Sequence, residues 1–254
     1  MSYRKLGTEF TSRTNSEIEA LGESRQLLLD YVEQMGPKWD VHLPLFLSAP
    51  SLARMLWQDI VYRKALDVPG CFVEFGSQWG ASLNVFLLLK QIHEPWNAGR
   101  RILSFSLFQE GFRSVDAKDG ASVAAGDYRV ANKWEEKLRD ILKSHSARSP
   151  LGPDQNFEVI PGNAPKTFRA YLKEHPEIIL SHVHFDMDVY KPTRDLIAMC
   201  KDRMPKGAIM IFDELNCPSF PGETVALDET LRISNLSLRK SPFQPFSAYA
   251  IIGE

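Results

Sequence analysis

LSHVHFDMDVYKPTRDLIAMCKDRMPKGAIMIFDELNCPSFPGE, residues 180–223, contains two short apolar runs that each end in carboxylates. Ser181 to Phe185 stops at Asp186 and Asp188, and Ala208 to Phe212 stops at Asp213 and Glu214. Each run has the length of a buried strand. Between them, Thr193 to Met204 has the spacing of a helix, with Pro192 near its start and Pro205, Lys206 and Gly207 closing it. A right-handed crossover makes the two strands parallel, so both acidic ends leave the carboxyl edge of the sheet, where open α/β sheets bind ligands. Asp186 and Asp213 are thereby placed to share one ion. Alternation along the first strand puts His182, His184 and Asp186 on one face and Val183, Phe185 and Met187 on the other. Both histidines fit hydrogen-bonded core or edge positions better than catalytic ones.

Outward from this unit the strand–helix alternation repeats. Gly70 to Gly76, GCFVEFG, is an apolar strand that breaks at glycine, and SQWGAS leads from it into a helix carrying Leu83, Val85, Phe86, Leu87, Leu88 and Leu89. The spacing Glu74-x-Gly76-x-x-x-Gly80-x-Ser82 allows a tight turn and close approach of a ligand to a helix N-terminus with free N–H groups. It equally suits a plain βα turn, and the Gly-x-Gly-x-x-Gly dinucleotide fingerprint has no match. Trp79 beside this loop reads as packing. Arg100 to Phe108 is a second strand. At its end many nucleoside-binding folds place an acid on a ribose hydroxyl, but here the position is Ser106, with Glu110 the acid that follows. Gly111 to Gly126 reads as a mobile or substrate-facing loop and Trp134 to Ser144 as a helix. Ser149 to Asp154 is a turn-rich break, Phe157 to Ile160 a third strand, Pro161-Gly162-Asn163 a turn, and Thr167 to Glu174 a helix. Beyond the acidic centre come a loop at Pro218 to Pro221, a helix over Glu223 to Arg232, and a hairpin of Asn235 to Arg239 with Ser247 to Ile252. Glu223 suits a helix N-terminus. The pattern is an α/β fold of about seven strands.

At the amino end, residues 1 to about 15 are polar and read as loose. A helix runs from Ser16 to Gly36-Pro37 and a second covers Ser51 to Ala65, forming either a lid over the ligand edge or an oligomer contact. Lys38, Arg54, Arg63 and Lys64 read as a solvated basic surface. With 30 basic and 32 acidic residues, the net charge of -2 gives no field suited to nucleic acid or an anionic membrane, which leaves small molecules as the expected partners. No apolar segment approaches membrane-spanning length, and MSYRKLGTEFTSRTNSEIEA lacks the apolar core of a secretory signal. Cys71, Cys200 and Cys217 neither pair evenly nor fall at zinc spacing, which suits a reducing cytoplasm.

Four segments, VEFGSQWGAS (73–82), VIPGNAPKTF (159–168), HFDMDVYKPT (184–193) and IFDELNCPSFPGE (211–223), occur in the order found in the macrocin-type sugar O-methyltransferases. The resemblance runs from about Ile60 to Ile252, and D-x-D-x-Y-x-P-T followed by D-E and G-E is its most specific part. It implies a class I, Rossmann-like fold with a seven-stranded, mostly parallel sheet and an antiparallel last strand. Residues 1–65 would then be a helical extension or lid and 66–254 the methyltransferase domain. It further implies S-adenosylmethionine as cofactor, held by Glu74, Gly76 and Gly80 with Ser82, Ser106 and Asn163 in the matching segments, and Mg²⁺ or another divalent metal on Asp186, Asp213 and Glu214. Two departures stand out. Glu214 replaces a more usual Asp, and SLFQEGF (106–112) has Ser106 where the family commonly carries Asp, with one extra residue before the glycine.

An alcohol is a weak nucleophile, so methyl transfer to it needs a group that lowers its pKa and a base that takes its proton. Carboxylate oxygens suit Mg²⁺, and chelation favours a vicinal diol, which points to a small polyhydroxylated acceptor such as a sugar. Asp188, Tyr190, His182 and His184 are the near proton acceptors. Asp188 is the first choice, with Asp186 beside it. A hydrolase or hydroxylase-like enzyme on the same carboxylates, and a binding protein with a degenerate fold, remain the alternatives. The helical extension suggests a homo-oligomer.

Overall fold

Short apolar runs bounded by glycine, proline or carboxylates become strands, and the 3.6-periodic segments between them become helices. The computed structural model describes residues 3–152 and 156–254, so positions 153 and 154 of the turn-rich break fall outside the described residues. The chain opens with a hairpin of β1 (Arg4–Leu6) and β2 (Glu9–Thr11), followed by α1 (Asn15–Tyr31), the single turn α2 (Trp39–His42) and α3 (Ala49–Arg63). Then come β3 (Cys71–Phe75), α4 (Ala81–His93), β4 (Ile102–Ser106), α5 (Trp134–Ser146), β5 (Phe157–Pro161) and α6 (Ala164–Glu174). The chain continues through β6 (Leu180–Phe185), α7 (Tyr190–Cys200), β7 (Ile209–Phe212), α8 (Pro221–Leu231), β8 (Arg239–Lys240) and β9 (Ala248–Ile251).

Among the described residues, seven strands form one sheet in the order β5-β4-β3-β6-β7-β9-β8. The pairs from β5 through β7 are parallel, and β9 runs antiparallel to β7. This is the seven-stranded, mostly parallel arrangement with an antiparallel last strand that the sequence implies. β3 pairs with β4 on one side and β6 on the other, so the winding reverses there and opens a crevice at the carboxyl edge. Alternating side chains sort the core into two layers. Val73, Phe75, Leu103, Phe105, Val183 and Phe185 pack against α6, α7 and α8, while Phe72, Ile102 and Ile211 pack against α3, α4 and α5. Phe75, Phe105 and Phe185 are each fully buried, and truncating such a ring to Ala costs about 3–5 kcal/mol.

The two histidines of β6 belong to the second layer. His182 stacks on Tyr62 at 5.2 Å and bonds the Tyr62 carbonyl at 2.8 Å. Burial pushes its pKa down to about 3, so it is neutral and structural.

Two expectations are corrected. Tyr3 to Thr11 are not loose, because the β1–β2 hairpin is held down by aromatic packing: Tyr3 sits edge-on to Phe220 at 5.5 Å, and Phe10 edge-on to Phe220 at 5.1 Å. Polar composition hid this, since Tyr3 and Phe10 are the rings that pack inward from an otherwise polar segment. The strand expected over Asn235 to Arg239 shrinks to Arg239–Lys240, with Ile233–Asn235 in a 3₁₀ turn. Pro242, which has no N–H to give a ladder, follows closely and limits this edge strand.

Candidate active site

The crevice is a cavity of about 800 Å³. Gly76, Ser77, Ser106, Leu107, Asn163 and Ala164, at the ends of β3, β4 and β5, wall one half. Arg54, Asp186, Asp188, Asp213 and Glu214, around the ends of β6 and β7, wall the other.

The first half is built largely by backbone and small side chains, with the basic Lys166 and Arg169 beside Asn163 and Ala164. Gly76 has φ +97°, and a Cβ there would stand 1.8 Å from the Asp186 carbonyl oxygen, so the glycine is dictated by the close approach of two strand ends. Gly80, at φ +84°, caps α4 against Leu138 and lies outside the cavity wall. Glu74 also lies outside it. The residue is fully buried, with Oε1 bonded to His184 Nδ1 at 3.0 Å and Oε2 lacking a partner. Asn163 caps α6, its side chain accepting from the Lys166 N–H. Ser106 ends β4 in the wall, but Glu110 does not take over as the acid beside it, because both its carboxylate oxygens are engaged by Arg113. Trp79 packs edge-on to Trp134 at 5.0 Å and also lines the cavity rim.

The second half is crowded with carboxylates. Asp188 sits at φ +59°, a left-handed turn that swings the chain from β6 into α7. This turn is pinned from outside. The loop expected to be mobile or substrate-facing lines the cavity through Gly111 to Ser114, and its buried Asp119 accepts the Tyr190 N–H, where a Cβ on Gly222 would come within 2.7 Å of that same nitrogen. Tyr128 lines the cavity with Asp188 and favours its charged form, while Tyr190 turns away from the cavity to bond Glu229. Burial, then the charges of Asp186 and Asp213, push Asp188 up to about 8. Burial and the charges of Asp188 and Asp213 push Glu214 up to about 12. Glu223 is not merely a helix-start acid: fully buried, it accepts the Glu214 N–H at 2.7 Å on Oε2, and burial drives its pKa well up.

Arg54 overturns the reading of a solvated basic surface. From α3 its Nη1 bonds Asp213 Oδ2 at 2.7 Å and its Nη2 bonds Asp186 Oδ2 at 2.8 Å. Although burial alone would raise Asp213, Arg54, His184 and a hydrogen bond from Ser247 hold it below its ordinary value. Asp186 goes the other way, to about 7, because burial and the charge of Asp213 outweigh Arg54. A legible signal existed: Arg54 stands one turn before Trp57 and Gln58, both buried, and so shares the inward stripe of α3. Tyr128, Tyr3 and Phe10, which also line the cavity, carried no such signal.

The acidic half suits a hard cation. Its donors are all carboxylate oxygens, and Glu214 Oε2 and Glu223 Oε1 are buried without partners. Asp186, Asp213 and Glu214 all reach the wall, but their donor atoms do not gather within 4.8 Å of one another. Among the described residues, the three groups whose donor atoms lie within 4.8 Å of one another are Glu74, His184 and Asp186. Glu74 is sealed beneath the wall, so of that trio only Asp186 lines the cavity.

No protein-family model and no curated protein matches the chain. Solved structures do. The chain is similar to CalS11, a calicheamicin methyltransferase, at 30% identity with a TM-score of 0.88, covering 100% of both chains. In its apo structure CalS11 is described as a TDP-rhamnose 3'-O-methyltransferase of calicheamicin biosynthesis, and here the match is 29% identical with a TM-score of 0.81, covering 96% of this chain and 97% of that one. The O-methyltransferase NovP shares the fold at 18% identity and a TM-score of 0.57, over 78% of this chain and 79% of its own.

Proposed function

The chain belongs to the macrocin-type sugar O-methyltransferases, class I S-adenosylmethionine-dependent enzymes, and from that premise we propose that it methylates a hydroxyl of a sugar moiety. The observation that carries this is the division of one cavity: a half at the switch point walled by Gly76, Ser106 and Asn163 and a half lined by the carboxylates Asp186, Asp188, Asp213 and Glu214. S-adenosylmethionine supplies a methyl group on a sulfonium, and Gly76, Ser106 and Asn163 wall the half that would hold it, with Ser82 at the join. Glu74 acts from below, through His184, and Gly80 by shaping the loop.

In this reading the acceptor diol lies in the acidic half. Asp188 takes the proton of the attacking hydroxyl, its charged form favoured by Tyr128 and its position held by the pinned turn into α7. Asp186, Asp213 and Glu214 would hold a divalent cation such as Mg²⁺, which supplies Lewis-acid stabilisation of a developing alkoxide. Tyr3 and Phe10 close the wall and exclude water. The proton leaves on a carboxylate as the carbon–sulfur bond breaks and the carbon–oxygen bond forms. The hydrolase and binding-protein alternatives lose to the family relationship.

The test is transfer of labelled methyl from S-adenosylmethionine to a panel of nucleoside-diphosphate deoxysugars and glycosides, with Mg²⁺ and after chelation. Methylation that stops on chelation supports both parts of the reading. Methylation indifferent to chelation removes the metal, and calorimetry showing no binding of S-adenosylhomocysteine removes the cofactor assignment.

The N-terminal helices support a homo-oligomer. α1 buries none of its residues, and Leu27, Leu29, Tyr31, Trp39, Val41 and Leu45 are exposed close together in sequence. A monomeric mass in light scattering would end that part of the proposal. No helix among the described residues is long and apolar enough to cross a membrane. Three free, buried cysteines suit a reducing compartment such as the cytoplasm.

A further inference from the structure

The acidic half of the cavity already contains a cation of its own. Every nitrogen of the Arg54 guanidinium is engaged: Nη1 with Asp213 Oδ2 at 2.7 Å, Nη2 with Asp186 Oδ2 at 2.8 Å, and Nε and Nη2 with Ser82 Oγ at 3.3 and 3.2 Å. The side chain therefore ties α3 to the ends of β6 and β7 and to the first turn of α4. Asp213 has little capacity left, since its Oδ1 accepts from Ser247 Oγ at 3.1 Å. A divalent ion ligated by Asp186 and Asp213 would have to use the same oxygens. Two cations on one oxygen pair repel, and a guanidinium fork is directional enough that it cannot simply slide aside and keep both bonds.

Arg54 does not use every carboxylate oxygen of this site. Glu214, which lines the cavity, has Oε2 buried and unpartnered, and Glu223, fully buried behind the wall, has Oε1 unpartnered. The cluster therefore holds carboxylate capacity that Arg54 does not reach, and that a second cation would use.

We propose that Arg54 is the built-in counter-ion of this centre and competes with a divalent cation for Asp186 and Asp213. Binding of the ion releases the α3 side chain from the strand ends. Arg54 keeps two like charges from forcing the ends of β6 and β7 apart when the ion is missing, and lowers the affinity for the ion in return. This rests on the reading of Asp186, Asp213 and Glu214 as ion ligands.

Calorimetric titration of the full chain with Mg²⁺, and with Mn²⁺ as a tighter-binding probe, separates the possibilities without any activity measurement. Arg54→Gln is expected to bind the ion about tenfold or more tightly than the unaltered chain. Its melting temperature should start lower and rise further on addition of Mg²⁺. Arg54→Lys, which keeps the charge but loses the fork, should fall between them, and it decides the matter alone if Arg54→Gln does not fold. Equal or weaker binding in the variants, with the unaltered chain binding the ion, overturns the competition while the ion site stands. Binding by none of the three overturns both.

Discussion

Both edges of the sheet bury charge, but only the amino edge satisfies it. There Arg100, 1% exposed, is held by Glu94 at 2.9 Å, by the carbonyls of Gly70, Ala65 and Leu66, and by Ser181. Glu94 in turn accepts from Tyr62 at 2.8 Å and Asn97 at 2.7 Å. At the carboxyl edge, Arg54 meets only part of a carboxylate cluster, and oxygens of Glu74, Glu214 and Glu223 stay unpaired. A saturated buried ion pair fixes structure, and removing one partner leaves an uncompensated charge. An unsaturated cluster stores repulsion, which persists where a ligand relieves it. The same residue types thus do opposite work at the two edges, and satisfaction rather than composition tells them apart.

The sharpest break in this comparison would come from Asp188. Asp188→Asn is expected to lower kcat by about 10²–10⁴, the range for losing a positioned base, while S-adenosylhomocysteine binding stays unchanged. Stability should hold or rise above about pH 8, where Asp188 is charged and repelled by Asp186 and Asp213. Turnover within tenfold of the unaltered chain would move the chemistry away from Asp188. Arg100→Met should do the reverse. It leaves Glu94 buried without its cation, which costs about 3–5 kcal/mol, or a fall in Tm of roughly 2–4 °C per kcal/mol. The folded fraction should keep its kcat and KM. Loss of activity without loss of stability in this variant would erase the distinction between the edges.

How far the sequence discloses each part follows from the range of the forces involved. β6, β7 and the acidic pairs at their ends are legible because strand length, alternation and a terminating carboxylate are local properties, and the likeness of four segments to one family supplied the topology. Gly76 was legible as a constrained glycine but not in its cause, since the atom it makes room for belongs to Asp186 on another strand. Arg54, Tyr128, Tyr3 and Phe10 come from segments far from the acidic centre in the chain. Only Arg54 left a trace, on the inward stripe of α3. Asp119 was hidden differently: a loop of small and polar residues looks mobile until the backbone N–H it caps, on Tyr190, is placed beside it.

Within the cavity the contrast between the half at the switch point and the carboxylate half gives smaller tests. Ser106→Asp puts an acid where β4 ends, in the half assigned to the cofactor. A charged acceptor for a ribose hydroxyl contributes about 1.5–3 kcal/mol, so S-adenosylhomocysteine should bind at least about tenfold more tightly. Unchanged or weaker binding would show that this chain holds the ribose by other groups, and that Ser106 is not a weakened version of an acidic position.

The smallest expected effect belongs to the hairpin that covers the charged half. Phe10 packs on Phe220 at 5.1 Å and on Tyr128 at 5.9 Å, and Tyr128 favours the charged form of Asp188. The backbone adds one bond, from the Tyr128 N–H to the Thr8 carbonyl at 2.8 Å, and Lys5 pairs with Asp127 at 2.6 Å. Each aromatic contact contributes about 0.5–1.5 kcal/mol, so Phe10→Ala should raise the acceptor KM by about two- to tenfold. The hairpin touches the half at the switch point only at its rim, where Glu9 bonds Gln78 and Trp79, so cofactor affinity should stay within twofold. If both affinities fall together, the hairpin closes the cavity as one space, and the two halves are a division of chemistry without being a division of access.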